Sequence, residues 1–112
     1  MRYKLKQGDI IIANLNPTKG REQQGKRPVV IVSSDEYYKM TGLIIMCPIS
    51  RTDNEFPMHI PLPYGMKTTG SVLTQHVRTI DPMDREITYL EKMPEKTLER
   101  VLHFIKLVFD RE

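Results

Sequence analysis

One cysteine and no tryptophan stand in the 112 residues. A lone Cys47 excludes an intrachain disulfide and a cysteine-rich metal site. No apolar run approaches the roughly 20 residues that cross a bilayer. Six glycines and eight prolines without a short repeat exclude a fibrous chain. The opening stretch Met1-Arg2-Tyr3-Lys4-Leu5-Lys6 is positive but lacks an apolar segment of secretion-signal length, so a cytoplasmic protein with no membrane association is expected. Phosphate-loop, dinucleotide and zinc motifs are missing, and His59, His76 and His103 do not have metal-ligand spacing. Neither a metal nor a cofactor is expected.

What is present fits one domain over residues 1–112. Hydrophobic residues make up 39% and charged residues 28%, enough apolar content to exclude a wholly disordered chain. The net charge of +3 conceals an asymmetry. Residues 1–34 hold seven Lys/Arg against two Asp/Glu, whereas residues 35–112 hold ten against twelve. A basic patch gathered at one end suits an anionic partner such as nucleic acid, though a mildly basic surface alone would produce the same count.

Short apolar runs bounded by turn formers predict strands at Ile10–Ala13, Pro28–Val32, Leu43–Cys47, Met58–Leu62, Ser71–Ile80 and Glu86–Leu90. The run at 28–32 is continuous rather than alternating, so both of its faces should be covered. Pro48 suggests that the third strand is leaving the sheet interior there or lies at an edge. Ser33-Ser34-Asp35-Glu36 has capping-box spacing with Ser33 as N-cap, and Gly42 can close the short helix that follows. After Pro94, the residues Leu98, Val101, Leu102, Ile105, Val108 and Phe109 fall on one helical stripe. Phe104 and Leu107 widen it, which suggests either a dimer seam beyond the packing of the helix on its own sheet or a terminal helix packed deeply in its own core. Several short strands and one terminal helix imply a mainly β fold, a small and strongly curved sheet or barrel.

The loop Lys19-Gly20-Arg21-Glu22-Gln23-Gln24-Gly25-Lys26-Arg27 sets four cations and one carboxylate around two glycines. Backbone N–H groups near glycines and arginine side chains both hold phosphates, and Glu22 among cations is either a salt-bridged residue or a base. Arg27 stands out because it enters an apolar strand. Ser50 follows a strand exit, where it either caps a turn or donates to a ligand. His59 points opposite to Met58 and Ile60; His76 lies beside Gln75 and Arg78; the two could form an acid–base pair. His103, beside the apolar stripe, reads as structural.

Three stretches now look familiar. Gly8-Asp9-Ile10, Asn16-Pro17-Thr18-Lys19-Gly20-Arg21-Glu22-Gln23 and Gly25-Lys26-Arg27-Pro28-Val29-Val30-Ile31-Val32 resemble the MazF/PemK family of bacterial toxins. Cys47-Pro48-Ile49-Ser50, and Gly70-Ser71-Val72-Leu73 through Arg78-Thr79-Ile80-Asp81, match its later motifs in order and at similar spacing. The resemblance covers nearly the whole chain. It implies a small SH3-like β-barrel with a C-terminal helix, the MazF/CcdB-type toxin fold, assembled as a homodimer. It implies sequence-specific, metal-independent cleavage of single-stranded RNA, and a cognate antitoxin whose disordered acidic tail covers the RNA groove. Carried over position by position, the catalytic Arg is Arg27, the catalytic Thr or Ser is Ser50, and Glu22 is the candidate base. Lys19, Arg21, Gln23, Lys26, Gln75, His76 and Arg78 are then the expected RNA-binding residues. This chain has Gln75 where many members carry an acid, His76 where they carry Gln, and Arg21 where Ser is common; these changes bear on the cleaved sequence and on the base.

Two other readings compete. A gyrase-poisoning toxin of the CcdB type shares the fold but resembles its kin at a Trp-Gly-Ile ending, whereas this chain ends Asp110-Arg111-Glu112. A non-catalytic nucleic-acid-binding module shares the basic loop but does not require both Arg27 and Ser50.

Overall fold

The computed structural model describes residues 4–15, 25–51 and 56–112. Among the described residues, seven strands and two helices follow one another as β1 (Asp9–Asn14), β2 (Lys26–Ile31), α1 (Asp35–Thr41), β3 (Ile44–Ser50), β4 (His59–Pro61), β5 (Ser71–Leu73), β6 (Arg78–Ile80), β7 (Ile87–Lys92) and α2 (Glu95–Val108). The described strands pair antiparallel in the order β4-β5-β3-β2-β1-β7, with β6 also on β3. The mainly β fold with a terminal helix is as expected. Among the described strands the barrel is open, since β4 and β7 end the path.

Both sheet faces are buried at the centre, which is why the strands read as continuous apolar runs. On one face Ile10, Val30, Cys47, Ile49 and Val72 pack under Leu98 and Val101 of α2. On the other, Ile11, Val29, Ile31, Ile44 and Met46 pack with Leu5 and Leu15, covered by Tyr38 and Ile87. Lys92 Nζ reaches the buried Asp9 carboxylate at 3.0 Å and closes β7 onto the start of β1.

Three details differ from the sequence reading. The N-cap of α1 is Ser34, whose hydroxyl accepts from the Tyr37 N–H at 3.1 Å; Ser33 is buried and accepts from the Ile45 N–H. Neighbouring serines compete for the cap, and the one facing β3 is used for the sheet. Gly42 ends α1 at φ 72°, as expected. Pro48 lies inside β3, buried opposite Val29. It falls between the segment of β3 that pairs β6 and the one that pairs β5, where the ladder changes partner and a missing N–H costs little. Finally, residues 71–80 do not form one strand. A 3-10 turn, Thr74–His76, separates β5 from β6.

That turn follows from register. Six residues separate Val72 from Arg78, but only three separate their β3 partners, Ile49 and Met46. The surplus residues leave the ladder, and Gln75 and His76 are among them.

Candidate active site

Alternation along β2 puts Arg27 on the face that Val29 and Ile31 occupy. Alternation along β3 puts Pro48 and Ser50 on that same face, because Pro48 pairs Val29. Carried two residues further, the β2–β3 register sets Arg27 against Ser50. Arg27 is half-buried at the strand entrance, whereas Ser50 is 6% exposed. A fixed cation therefore stands at the rim and a hydroxyl at the floor.

Ser50 is held from behind by a close backbone approach. Gly70 has φ +117°, a conformation that side-chain-bearing residues rarely adopt, and a Cβ there would lie 2.2 Å from the Ser50 carbonyl oxygen. Gly70→Ala is thus expected to cost about 1–3 kcal/mol in backbone strain alone. It should also push Ser50 off its register. Thermal unfolding should show a Tm lowered by several degrees. An unchanged Tm would mean that the backbone at Gly70 is not fixed as described.

The displaced turn builds the next part of the site. A pocket of about 160 Å³ is lined by Leu15, Met46, Pro48, Gln75, His76, Val77 and Arg78. Arg78 does two things there. It forms part of the wall, and its Nη1–H donates to the Leu15 carbonyl at 2.9 Å. Arg85 Nη1–H donates to the neighbouring Asn14 carbonyl at 2.8 Å. Two arginines, one on β6 and one in the segment between β6 and β7, thus hold successive carbonyls where β1 runs out. Nothing in the sequence separates Arg85 from an ordinary surface cation, so this strut carries no sequence signal.

A wider cleft of about 360 Å³ opens beside Arg27, with Lys26, Arg51 and Lys67 contributing further positive charge. Lys26 is not simply available to a phosphate, because its Nζ lies 2.7 Å from Glu86. The hydrogen bond from Lys26, and then its charge, hold the Glu86 carboxyl below its ordinary range. Another carboxylate fixes the cleft wall. Glu91 accepts from the Thr68 hydroxyl at 2.6 Å, the Thr68 N–H at 2.7 Å and the Lys67 N–H at 3.2 Å. Burial works to raise its pKa, but the bonds from Thr68 and Lys67, with the Lys67 charge, together lower it. Because the value is lowered, this tie contributes stability that is fully present above the ordinary carboxylate range and is lost as pH falls on through the lowered folded value. Cys47 is no candidate nucleophile, since burial pushes its thiol up to about 12.

Of the residues expected from sequence, Arg27, Ser50, Gln75, His76, Arg78 and Lys26 lie along this one end of the sheet. Lys19, Arg21, Glu22 and Gln23 lie outside the described residues. His59 contacts Gln75, with His59 Nε2 2.9 Å from the amide nitrogen. His103 is exposed and meets Phe104 edge-on at 5.7 Å, a surface contact rather than a core one.

Comparison with known proteins agrees over almost all of the chain. A family model described as PemK-like, MazF-like toxin of type II toxin-antitoxin system matches residues 6–109. Over 103 residues the chain is 35% identical to Endoribonuclease PemK of Escherichia coli, covering 88% of this chain and 77% of that protein. MazF of Deinococcus radiodurans superposes with a TM-score of 0.89 at 29% identity, over 96% of this chain and 98% of that one. A second structure from that organism, of MazE-MazF, gives 0.83 at 24% identity, over 99% and 100%. At that lower identity the likeness is one of fold.

Proposed function

The chain belongs to the PemK-like, MazF-like toxin family of type II toxin-antitoxin systems, and from that premise we propose that it is an endoribonuclease that cleaves single-stranded RNA at specific sequences without a metal ion. What supports this reading is that the β2–β3 register, extended from Val29↔Pro48, sets Arg27 and Ser50 on one sheet face, beside a pocket built from a displaced turn. A non-catalytic binding module has no need of that pair.

In the reaction, the ribose 2′-oxygen attacks the adjacent phosphorus and its proton passes to a base. The bond from phosphorus to the 5′-oxygen breaks, and that oxygen takes up a proton. A 2′,3′-cyclic phosphate and a 5′-hydroxyl are left. Arg27 is suited to the charge that builds on the phosphorane, since guanidinium stays charged and donates two parallel bonds. The Ser50 hydroxyl adds a neutral donor. Glu22 is the proposed base, and imidazole at His76 is the alternative proton carrier.

The two bases are separable. Glu22→Gln keeps shape but removes the acceptor, so the cleavage rate should drop across neutral pH if Glu22 is the base. If His76 acts instead, His76→Ala is the damaging change and the acidic limb of the pH–rate profile should move with it. Equal, mild losses in both would exclude both.

The partner follows from the same cleft. Cations at Lys26, Arg27, Arg51 and Lys67 suit the carboxylates of a disordered acidic antitoxin tail as well as RNA phosphates. Inhibition is then by occupation of the RNA groove. On α2, Leu98 and Val101 are buried, while Leu107, Val108 and Phe109 are 47%, 55% and 75% exposed. An apolar helix end of this kind suits a homodimer seam.

A further inference from the structure

We propose that Glu91 is a positioning residue for RNA cleavage: its carboxylate laces β7 to the connection between β4 and β5, and through that connection fixes Ser50. The proposal rests on the ribonuclease reading and adds to it a residue that acts through Ser50.

The topology leaves a gap that a side chain fills. Among the described strands β4 and β7 end the path, and no ladder joins them. Residues 62–70 connect β4 to β5 at one end of that path, and Glu91 stands on β7 at the other. Glu91 bridges the two ends. Its Oε2 accepts from the Thr68 hydroxyl at 2.6 Å and from the Thr68 N–H at 2.7 Å, while Oε1 accepts from the Lys67 N–H at 3.2 Å. The register of β7 shows why Glu91 is aimed there. Ile10 pairs Glu91 but Ile11 pairs Tyr89, so Leu90 is the extra residue of a bulge. In a regular strand Leu90 and Glu91 would point to opposite faces. Here Leu90 packs on the core beneath α2, and Glu91 is paired with Ile10 of that same core. The bulge thus turns both toward one side, as bulges do where a side chain must be re-aimed.

From Thr68 the chain reaches Ser50 within a few residues. Gly70 lies so close to Ser50 that a Cβ there would overlap the Ser50 carbonyl, and Ser71 pairs Ser50 directly. The Gly70 carbonyl accepts from the Leu62 N–H at 2.9 Å, which closes the base of the connection. Thr68 is itself buried. A buried donor deprived of its acceptor bears the full cost of its desolvation, so without Glu91 the segment shifts to find another partner. That shift falls on the backbone that holds Ser50. The fold survives it, because Leu62 and Met66 keep the connection docked on the core beneath α2. The arrangement calls for a carboxylate. A glutamine in its place offers one acceptor oxygen to the donors of Lys67 and Thr68, and its amide N–H groups would face one of them.

The test measures kcat and KM on a defined single-stranded RNA for the wild type, Thr68→Val, Ser50→Ala, and Glu91→Ala and Glu91→Gln each alone and combined with Ser50→Ala. The amide resonances of Gly70, Ser71 and Arg51 are followed by NMR in the same proteins. Glu91→Ala should lower kcat roughly two- to tenfold, up to the loss expected of Ser50→Ala, with KM little changed. Thr68→Val removes the hydroxyl bond but keeps the N–H and should lose less. In the double variants the loss should not exceed that of Ser50→Ala alone, because a hydroxyl that is gone cannot be misplaced. The three amides should shift in both Glu91 variants while those of Val29 and Val30 stay. Should Glu91→Ala not fold, Glu91→Gln carries the same comparisons. Additive losses in the double variants, unmoved amides, or an unchanged kcat would each overturn the proposal. If the wild type cuts no RNA, the ribonuclease reading itself falls and the catalytic role of Glu91 with it, whatever the amides show.

Discussion

Arg27→Ala is expected to slow RNA cleavage by about 10²–10³-fold while leaving the protein folded, because it removes one preorganised donor from the developing phosphorane. The core does not depend on Arg27. Val29, Val30 and Ile31 of the same strand are the buried anchors, and Arg27 sits at the half-buried entrance. The variant should therefore keep its circular dichroism spectrum and association state while losing toxicity on expression. Arg27→Lys keeps the charge but not the planar fork, so its loss should lie between those of Ala and wild type. Ser50→Ala removes one neutral hydrogen bond, worth about 0.5–1.5 kcal/mol, and should slow the reaction roughly two- to tenfold. Near wild-type cleavage by Arg27→Ala would remove Arg27 from the chemistry.

A larger effect is expected on the substrate side. Replacing the scissile ribose by deoxyribose takes away the nucleophile itself, so cleavage at that bond should cease altogether. No rearrangement of protein groups substitutes for a missing 2′-oxygen. Binding should survive, because phosphate contacts and base stacking do not use that hydroxyl. A deoxy-substituted RNA should accordingly compete with the all-ribose substrate. Retention of cutting at that bond would mean that water attacks phosphorus directly, and the assignment of roles to Arg27 and Ser50 would have to change.

The strands were legible because their burial is two-sided. Ile10–Ala13 and Pro28–Val32 are apolar almost without interruption, and both core clusters draw on them. Their ends were less legible, since β2 begins two residues earlier at Lys26 by pairing Asn14, a bond that apolar patterning does not report. The break in residues 71–80 could not be read at all. Ser71 to Ile80 has the composition of a strand throughout, and only the registers on β3 show that the chain carries surplus residues there. Yet that surplus is what takes Gln75 and His76 off the ladder and into the wall of the pocket. Pro48 misled for a related reason, because a proline is tolerated where a strand changes partner as well as where it ends. At the site, Arg27 and Ser50 were visible as residue types at strand ends and through family resemblance. Their alignment across β2 and β3 is a property of pairing, which sequence order does not contain. Arg85 had no sequence signal, because its task is to hold a main-chain carbonyl from 71 positions away.

The central claim is a transesterification by the RNA's own 2′-oxygen, promoted by protein groups alone. The most direct measurement incubates the purified protein with a defined single-stranded RNA in excess EDTA and maps both new ends. A 2′,3′-cyclic phosphate on the upstream fragment and a 5′-hydroxyl on the downstream one, formed at the same rate with and without EDTA, is the predicted result. A 3′-hydroxyl with a 5′-phosphate, or cleavage that stops when EDTA is added, would contradict it.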